Sequence, residues 1–299
     1  MCSSFDEKVK NLTKLSNLDL VSYLQSRNIL PSVKVCPRCE TKMNLVIEYH
    51  SLDGLIWKCP RLCKKSFSIK DGTFFSESTL PIKKQLHLMA VWAKQNRVTE
   101  ASLECTVSRF SAMRMFESLR NICKWRLQTL DDLRVGGPRK IVHVDELCLS
   151  EKSKESPLWA LVFVDNSGLS STKGVVSIIN NRDPSSLLPI IQHIARPGSI
   201  IWSSKWSMYN NLYNSPYLKQ YTRVNPNLKF LEPGRGQACW SIRLYKDRLK
   251  QKMKTHNGNH RHRVPSYINE LMWFERHGNT FNEAFESILR DLTLKYGLR

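Results

Sequence analysis

The sequence predicts a mixed α+β chain: an N-terminal helical segment, a small cysteine-bearing strand module, a second helical segment and an α/β domain, in that order. Three observations predict it. Four cysteines fall in two close pairs between positions 36 and 63. Apolar residues then recur at helical spacing as far as Gly136-Gly137-Pro138, a cluster that marks a boundary. Beyond it come short runs rich in Val and Ile, followed by helical patterns and a late basic stretch. For 299 residues, at ~150 residues per domain, the prior is roughly two domains.

In residues 1–35, Leu18, Leu20, Val21, Leu24 and Ile29 repeat at roughly helical spacing, and Pro31 closes the segment. Residues 36–75 contain Cys36-Pro37-Arg38-Cys39 and Cys59-Pro60-Arg61-Leu62-Cys63, with 19 residues between the pairs. The runs MNLVIEYH and GLIWKC read as strands that bring the pairs together. A zinc ion takes four thiolates at ~2.3 Å in a tetrahedron, and a tight turn sets both cysteines of a pair on one side of it. The segment therefore reads as a zinc ribbon with Cys36, Cys39, Cys59 and Cys63 as ligands. Four unrelated buried thiols are the other reading, and they would leave Lys58, Lys64 and Lys65 crowding sulfur without a role. Cys105, Cys123, Cys148 and Cys239 lie in apolar contexts and read as small core residues; Cys2 sits in a fraying terminus.

Residues 76–135 read as helices. STLPIKKQLHLMAVWAKQ is followed by RVTEASLECT and VSRFSAMRMFESLRNICKWRL, a helix-turn-helix-like pair with Ser108 or Ser111 at the second cap. Arg109, Arg114, Arg120 and Lys124 then face DNA phosphates. A plain helical bundle with a solvated basic face remains the alternative. Residues 139–299 open with three strands, KIVHVDELCL, PLWALVFVD and KGVVSIIN, with a turn at Asn166-Ser167-Gly168. A helix (SSLLPIIQHIA), a strand (GSIIW), a short helix (KWSMYNNLY), a basic helix near 237–254 and two last helices follow. This order matches a ribonuclease H-like domain, in which acids on the first strand, at the end of the fourth and on a late helix hold two divalent ions.

Charge narrows the partners. The chain carries 46 Lys+Arg against 26 Asp+Glu, a net charge of +20. Such a surplus points to a polyanion, of which nucleic acid is the commonest. In the late basic stretch Arg235, Arg243, Lys246, Lys250 and Lys254 are the phosphate-binding candidates. Five such contacts would give log affinity against log salt a slope near −4 to −5. The His-rich loop HNGNHRHR reads as solvated, and Trp202, Trp206, Trp240 and Trp273 read as core. No window approaches ~18 consecutive apolar residues, so no membrane partner is expected. The polar N-terminus lacks the apolar core of a secretory signal. The expectation is a protein that is not secreted, nuclear in a eukaryote and otherwise cytoplasmic.

Several stretches, taken in order, carry a family resemblance: CPRC and CPRLC, TFFSESTLPIKKQLHLMAVWA, VHVDELCLS, WSSKWSMYNNL, CWSIRLYKDRLK and VPSYINELMWFERHG. Together they resemble a Merlin-type transposase, related to bacterial insertion-sequence transposases of the DDE class, over most of the chain. The resemblance implies DNA transposition by Mg- or Mn-dependent strand transfer, acting on double-stranded DNA with transposon terminal repeats, as a homodimer or higher multimer. It makes Asp145 the first catalytic acid, with Glu146 on the other face of the strand.

The other two acids are missing. The family's second Asp stands two residues before Trp206 and five before Tyr209, where this chain has Ser204. The family's Glu stands three residues before Trp240, where this chain has Gln237. Three carboxylates bring about −3 to two ions; one carboxylate, a hydroxyl and an amide bring about −1, and Mg²⁺ prefers charged oxygens. Asp165 and Glu232 are the acids a rearranged site would draw on. The chain thus reads as a transposase-derived DNA-binding protein, catalytically degenerate, either a decaying copy or a domesticated one. The alternatives are an active transposase with substituted ligands and a zinc-ribbon protein–protein adaptor.

Overall fold

The computed structural model describes residues 4–61, 63–130, 133–150, 157–165, 173–203, 220–223, 235–255 and 261–297. It is mixed α and β, in two compact units: residues 1–122 with 277–299, and residues 123–276. Among the described residues no helix is long and apolar enough to cross a membrane.

The first unit begins with two helices. α1 (Ser4–Lys14) buries Phe5, Val9 and Leu12, spaced four and three apart. Three apolar residues among polar ones make a weak periodic signal, and sequence alone does not single this helix out. α2 (Asn17–Ser26) starts at Ser16, whose Oγ accepts the N–H of Asp19 at 3.1 Å. It buries Leu20, Val21 and Leu24; Leu18 shares the predicted periodicity but is 50% exposed.

A three-stranded antiparallel sheet follows: β1 (Asn44–Ile47), β2 (Leu55–Lys58) and β3 (Ser66–Ser68). Trp57 on β2 lies between Leu45 and Phe67 and is buried. A short 3₁₀ turn, Phe74–Glu77, leads into α3 (Ile82–Ala93). α3 is central to the unit: Leu88, Met89, Val91 and Trp92 are almost wholly buried, and α1 and α9 (Phe281–Tyr296) pack against it.

The sheet is fastened to the start of α3. Pro81 precedes that helix and offers no side-chain cap. Buried Asp53, from the β1–β2 hairpin, accepts the Ile82 N–H instead, at 2.6 Å. Lys70 stands 3.8 Å from the same carboxylate and donates to the carbonyls of Ser78 and Leu80 at 3.0 Å. α4 (Val98–Glu104) and α5 (Arg109–Gln128) complete the predicted helical pair. Ser108 is the cap of α5, since its Oγ accepts the N–H of Ser111 at 3.0 Å.

The second unit is built on a five-stranded sheet. β5 (Ile141–Ser150), β6 (Leu158–Asp165) and β7 (Gly174–Ile179) form an antiparallel meander. β9 (Ile200–Ser203) and β10 (Gln220–Arg223) add in parallel on the other edge of β5, giving the order β10-β9-β5-β6-β7. β10 has no strand signal in the sequence. A short parallel pair, β4 (Val135–Gly136) with β8 (Ala195–Arg196), forms a sheet of its own beside β5 and β6. Between β7 and β8 runs α6 (Pro184–Ile194). The predicted short helix over 205–213 falls outside the described residues.

The units divide within α5 rather than at Gly136-Gly137-Pro138. The glycines belong to the second unit: a Cβ on Gly136 would lie 2.3 Å from Ser199 Oγ, and the Gly136 N–H donates to Asp165 at 2.9 Å. The last predicted helix, α9, belongs to the first unit rather than to the strand domain.

The predicted basic helix is α7 (Arg235–Thr255), which packs on β5 and β6. Its buried residues, Ile242, Tyr245, Leu249 and Met253, follow spacings of three and four. Tyr245 fits because Gly174 has no side chain; a Cβ there would lie 2.2 Å from the ring. The Tyr245 hydroxyl donates to Glu275 of α8 (Val264–His277) at 3.0 Å. Glu275 also accepts the Gly174 N–H at 3.3 Å, while Arg276 donates to the Gly174 carbonyl at 3.0 Å.

Burial raises the Glu275 carboxyl to about 7 from an ordinary 4.5. The folded state therefore holds this proton more tightly than the unfolded chain. The stabilisation is full below the ordinary value and is lost as pH rises through about 7. Glu275→Gln keeps the shape and abolishes the titration. Urea midpoints measured from pH 5 to pH 8 should fall for the wild type relative to this variant, by the equivalent of about 3 kcal/mol. Parallel pH profiles would refute the assignment.

Candidate functional site

The two cysteine pairs sit in matching turns. The Cys36 N–H donates to the Thr41 carbonyl and the Glu40 N–H to the Cys36 carbonyl, both at 2.9 Å. The Cys59 N–H donates to the Lys65 carbonyl at 2.9 Å, and the Lys64 N–H to the Arg61 carbonyl at 3.1 Å. Each turn carries one residue in the left-handed region, Glu40 (φ 54°) and Lys64 (φ 46°). The turns aim four sulfurs at one point. Cys36–Cys63 is 3.7 Å, Cys39–Cys59 and Cys39–Cys63 are 3.5 Å, and Cys59–Cys63 is 3.1 Å.

Tetrahedral zinc with bonds of ~2.3 Å separates its sulfurs by roughly 3.8 Å. All four Sγ atoms lie within 4.8 Å of one another, so the set could hold one tetrahedral ion. A sulfur-only donor set suits zinc. Hydrogen bonds from Thr41 pull the Cys39 thiol down to about 6. The neighbouring Cys63 sulfur, with burial, pushes Cys59 up to about 12. Packed sulfurs cannot all ionise without a cation among them. Cys105 and Cys123 are buried and Cys148 is partly so, as core residues should be; the Cys2 and Cys239 side chains lie outside the described residues.

Asp145 lies midway along β5. Its Oδ1 accepts the Glu146 N–H at 2.9 Å. Its Oδ2 is held by the ammonium of Lys246, which α7 lays across the strand. Glu146 points to the opposite face, fully buried, against Arg182. That guanidinium also lies 4.1 Å over the Trp159 ring. Asp165 pairs with Val142, so it shares the face of Glu146 and not that of Asp145. It accepts the Gly136 N–H and terminates its strand.

His143 stands two residues before Asp145 on the same face. It is buried edge-on against Trp202, with centroids 5.2 Å apart. Burial lowers it to about 4, so it is neutral at pH 7. Ser203, the last described residue of β9, pairs with Val144. Ser204 and Glu232 lie outside the described residues, and so does the side chain of Gln237, which belongs to the first turn of α7. Among the described residues the carboxylate on this face, Asp145, is neutralised by Lys246 and the neighbouring His143 is neutral, so these donors do not fit a pair of divalent ions.

The DNA-binding candidates divide. Arg109, Arg114 and Lys124 on α5, and Arg243, Lys250 and Lys254 on α7, are exposed. Arg120 is not: it is 4% exposed, in phase with the buried Phe116, Cys123 and Leu127, and it cannot face phosphates. Lys246 is turned inward to Asp145. The Arg235 side chain lies outside the described residues. The inward lysine was hard to foresee, though it stands one position from the buried Tyr245 and four from the buried Ile242. Trp202 and Trp273 are buried, as predicted.

No protein-family model matches the chain, and no curated protein matches it. Among solved structures it is similar to a chain of the cryo-EM structure of a simian T-cell lymphotropic virus intasome in complex with PP2A regulatory subunit B56 gamma. The identity is 15% and the TM-score 0.35, over 64% of this chain and 69% of that one. A likeness this loose carries no argument about fold or activity.

Two outcomes are expected from these sites. Elemental analysis should find one zinc per chain, and Cys59→Ser or a strong chelator should unfold β1–β3 and lower the melting midpoint; a zinc-free protein of unchanged stability would refute the metal centre. Asp145→Asn and Lys246→Met should each destabilise, and a double-mutant cycle should give coupling of about 1–2 kcal/mol. Additive losses would mean that the two side chains do not act as a pair.

Proposed function

We propose that this chain is a transposase-derived, zinc-containing DNA-binding protein whose metal-dependent cleavage has been lost. The second unit is read as ribonuclease H-like. That reading is supported by the strand order, an antiparallel meander with two parallel strands added beside its first strand, and by a late helix packed over that strand. Zinc serves as a structural ion in the ribbon. Double-stranded DNA is the partner, bound by the exposed basic residues of α5 and α7. A homodimer follows from the resemblance alone, and a nuclear location in a eukaryote from the basic composition.

The observation that carries the loss of catalysis is the Lys246 ammonium on Asp145. An ammonium neutralises a carboxylate but has no open coordination position for a phosphate oxygen. Asp165 faces away, which weakens a rearranged active site. A second reading, a zinc-ribbon adaptor for a protein partner, draws on Ile47, Tyr49 and Leu52. These lie 54–88% exposed along one hairpin.

The test combines binding and cleavage on one set of samples. Labelled duplex carrying candidate terminal repeats is titrated by gel shift across a salt series, with Mg²⁺ or Mn²⁺ present. Expected are binding that weakens with salt, with a log–log slope near −4 to −5, and no nicking or joining. Cleavage abolished by Asp145→Ala would restore the active-enzyme reading. Weak binding that ignores salt would favour the adaptor.

A further inference from the structure

Helix α5 presents an outer surface of unusual composition. Its inner residues, Ala112, Met115, Phe116 and Leu119, are buried. Its outer residues over the first three turns, Arg109, Phe110, Arg114, Glu117 and Asn121, are exposed. From Phe110 onward they are spaced four, three and four apart, which makes one stripe along the helix. Phe110 is 62% exposed, with the Arg114 guanidinium 5.7 Å from its ring centre.

A helix that only followed a phosphate backbone would carry cations along such a stripe. This one places a carboxylate, Glu117, at its middle, and among the described residues no salt bridge reaches it. Beside a phosphate that charge would be repelled. Beside base edges it has a defined partner, the N4 amine of cytosine. The neighbours are base readers too: Arg grips guanine O6 and N7, Asn grips adenine N6 and N7, and an aromatic ring contacts the thymine methyl.

The dimensions agree. Positions 110 to 121 span about 16 Å of helix axis, about five base-pair steps. Arg114, Glu117 and Asn121 follow the i, i+3, i+7 spacing of a long recognition helix lying in the major groove, while Ser118 beside them turns to Glu77. We infer that Arg114, Glu117 and Asn121 of α5 read base edges in the major groove of duplex DNA, with Phe110 beside a thymine methyl, so that binding is sequence-selective. This rests on the DNA-binding function proposed above and names the element that gives it selectivity.

The test is selection from a randomised duplex library with full-length, zinc-loaded wild type, Glu117→Ala and Asn121→Ala. Both substituted side chains are exposed, and circular dichroism checks that the variants fold. The wild type should select a short motif. Each variant should lose preference at one base pair, by roughly 5- to 150-fold. Glu117→Ala should hold or raise affinity for unselected duplex, because a repelling charge is gone. The same motif at the same strength in all three proteins overturns the inference. Wild-type binding without any motif also overturns it but leaves the DNA-binding function standing. No DNA binding at all would overturn both.

Discussion

Strand β5 carries two adjacent carboxylates, Asp145 and Glu146, through a sheet whose faces are both buried, and each needs a cation. Val142, Val144 and Phe163 lie on one face, with His143 and Val162 on the other, and all are shielded from water. An ionised carboxylate there without a partner would cost several kcal/mol. Each face answers with its own cation. Lys246 comes from α7 and Arg182 from the segment before α6. The pairing of Lys246 with Asp145 agrees with the rotation at which α7 buries Ile242, Tyr245 and Leu249. The ammonium that neutralises Asp145 is thus tethered to the helix that covers the strand.

The first unit handles buried charge and sulfur differently. Its sheet has strands of four, four and three residues, too short to stand alone. Two fastenings compensate. At one end four sulfurs converge where a single ion would clamp both turns. At the other, Asp53 and Lys70 satisfy the unbonded groups at the start of α3 and the carbonyls just before it. The ribbon is thereby tied to a helix that is itself buried on nearly every side. That leaves the hairpin with exposed Tyr49 and, farther along the chain, the outer face of α5 for contact with other molecules.

Much of this architecture was legible in the sequence because short-range rules govern it. The cysteine spacing predicted the cluster, since two tight turns and a hairpin leave few ways to place four thiols. Val- and Ile-rich runs predicted four of the five strands in the main sheet, while β10 escaped because Gln220–Arg223 carries no alternation of its own. α1 escaped for a similar reason. The face of each residue on β5 also followed from alternation, and it correctly set Asp145 and Glu146 apart.

What the sequence could not decide was partnership across space. Arg120 and Arg114 look alike in a list of basic residues, yet helix phase buries one and exposes the other. Lys246 looks like a phosphate contact until α7 docks and brings it onto a strand residue 101 positions away in the chain. Asp165 looks like a spare ligand until strand register turns it to the wrong face. The sequence by itself determined most of the elements and the sulfur cluster, because composition and spacing are local. Only the tertiary structure decided which cation neutralises Asp145, because that depends on how a helix and a distant strand pack together.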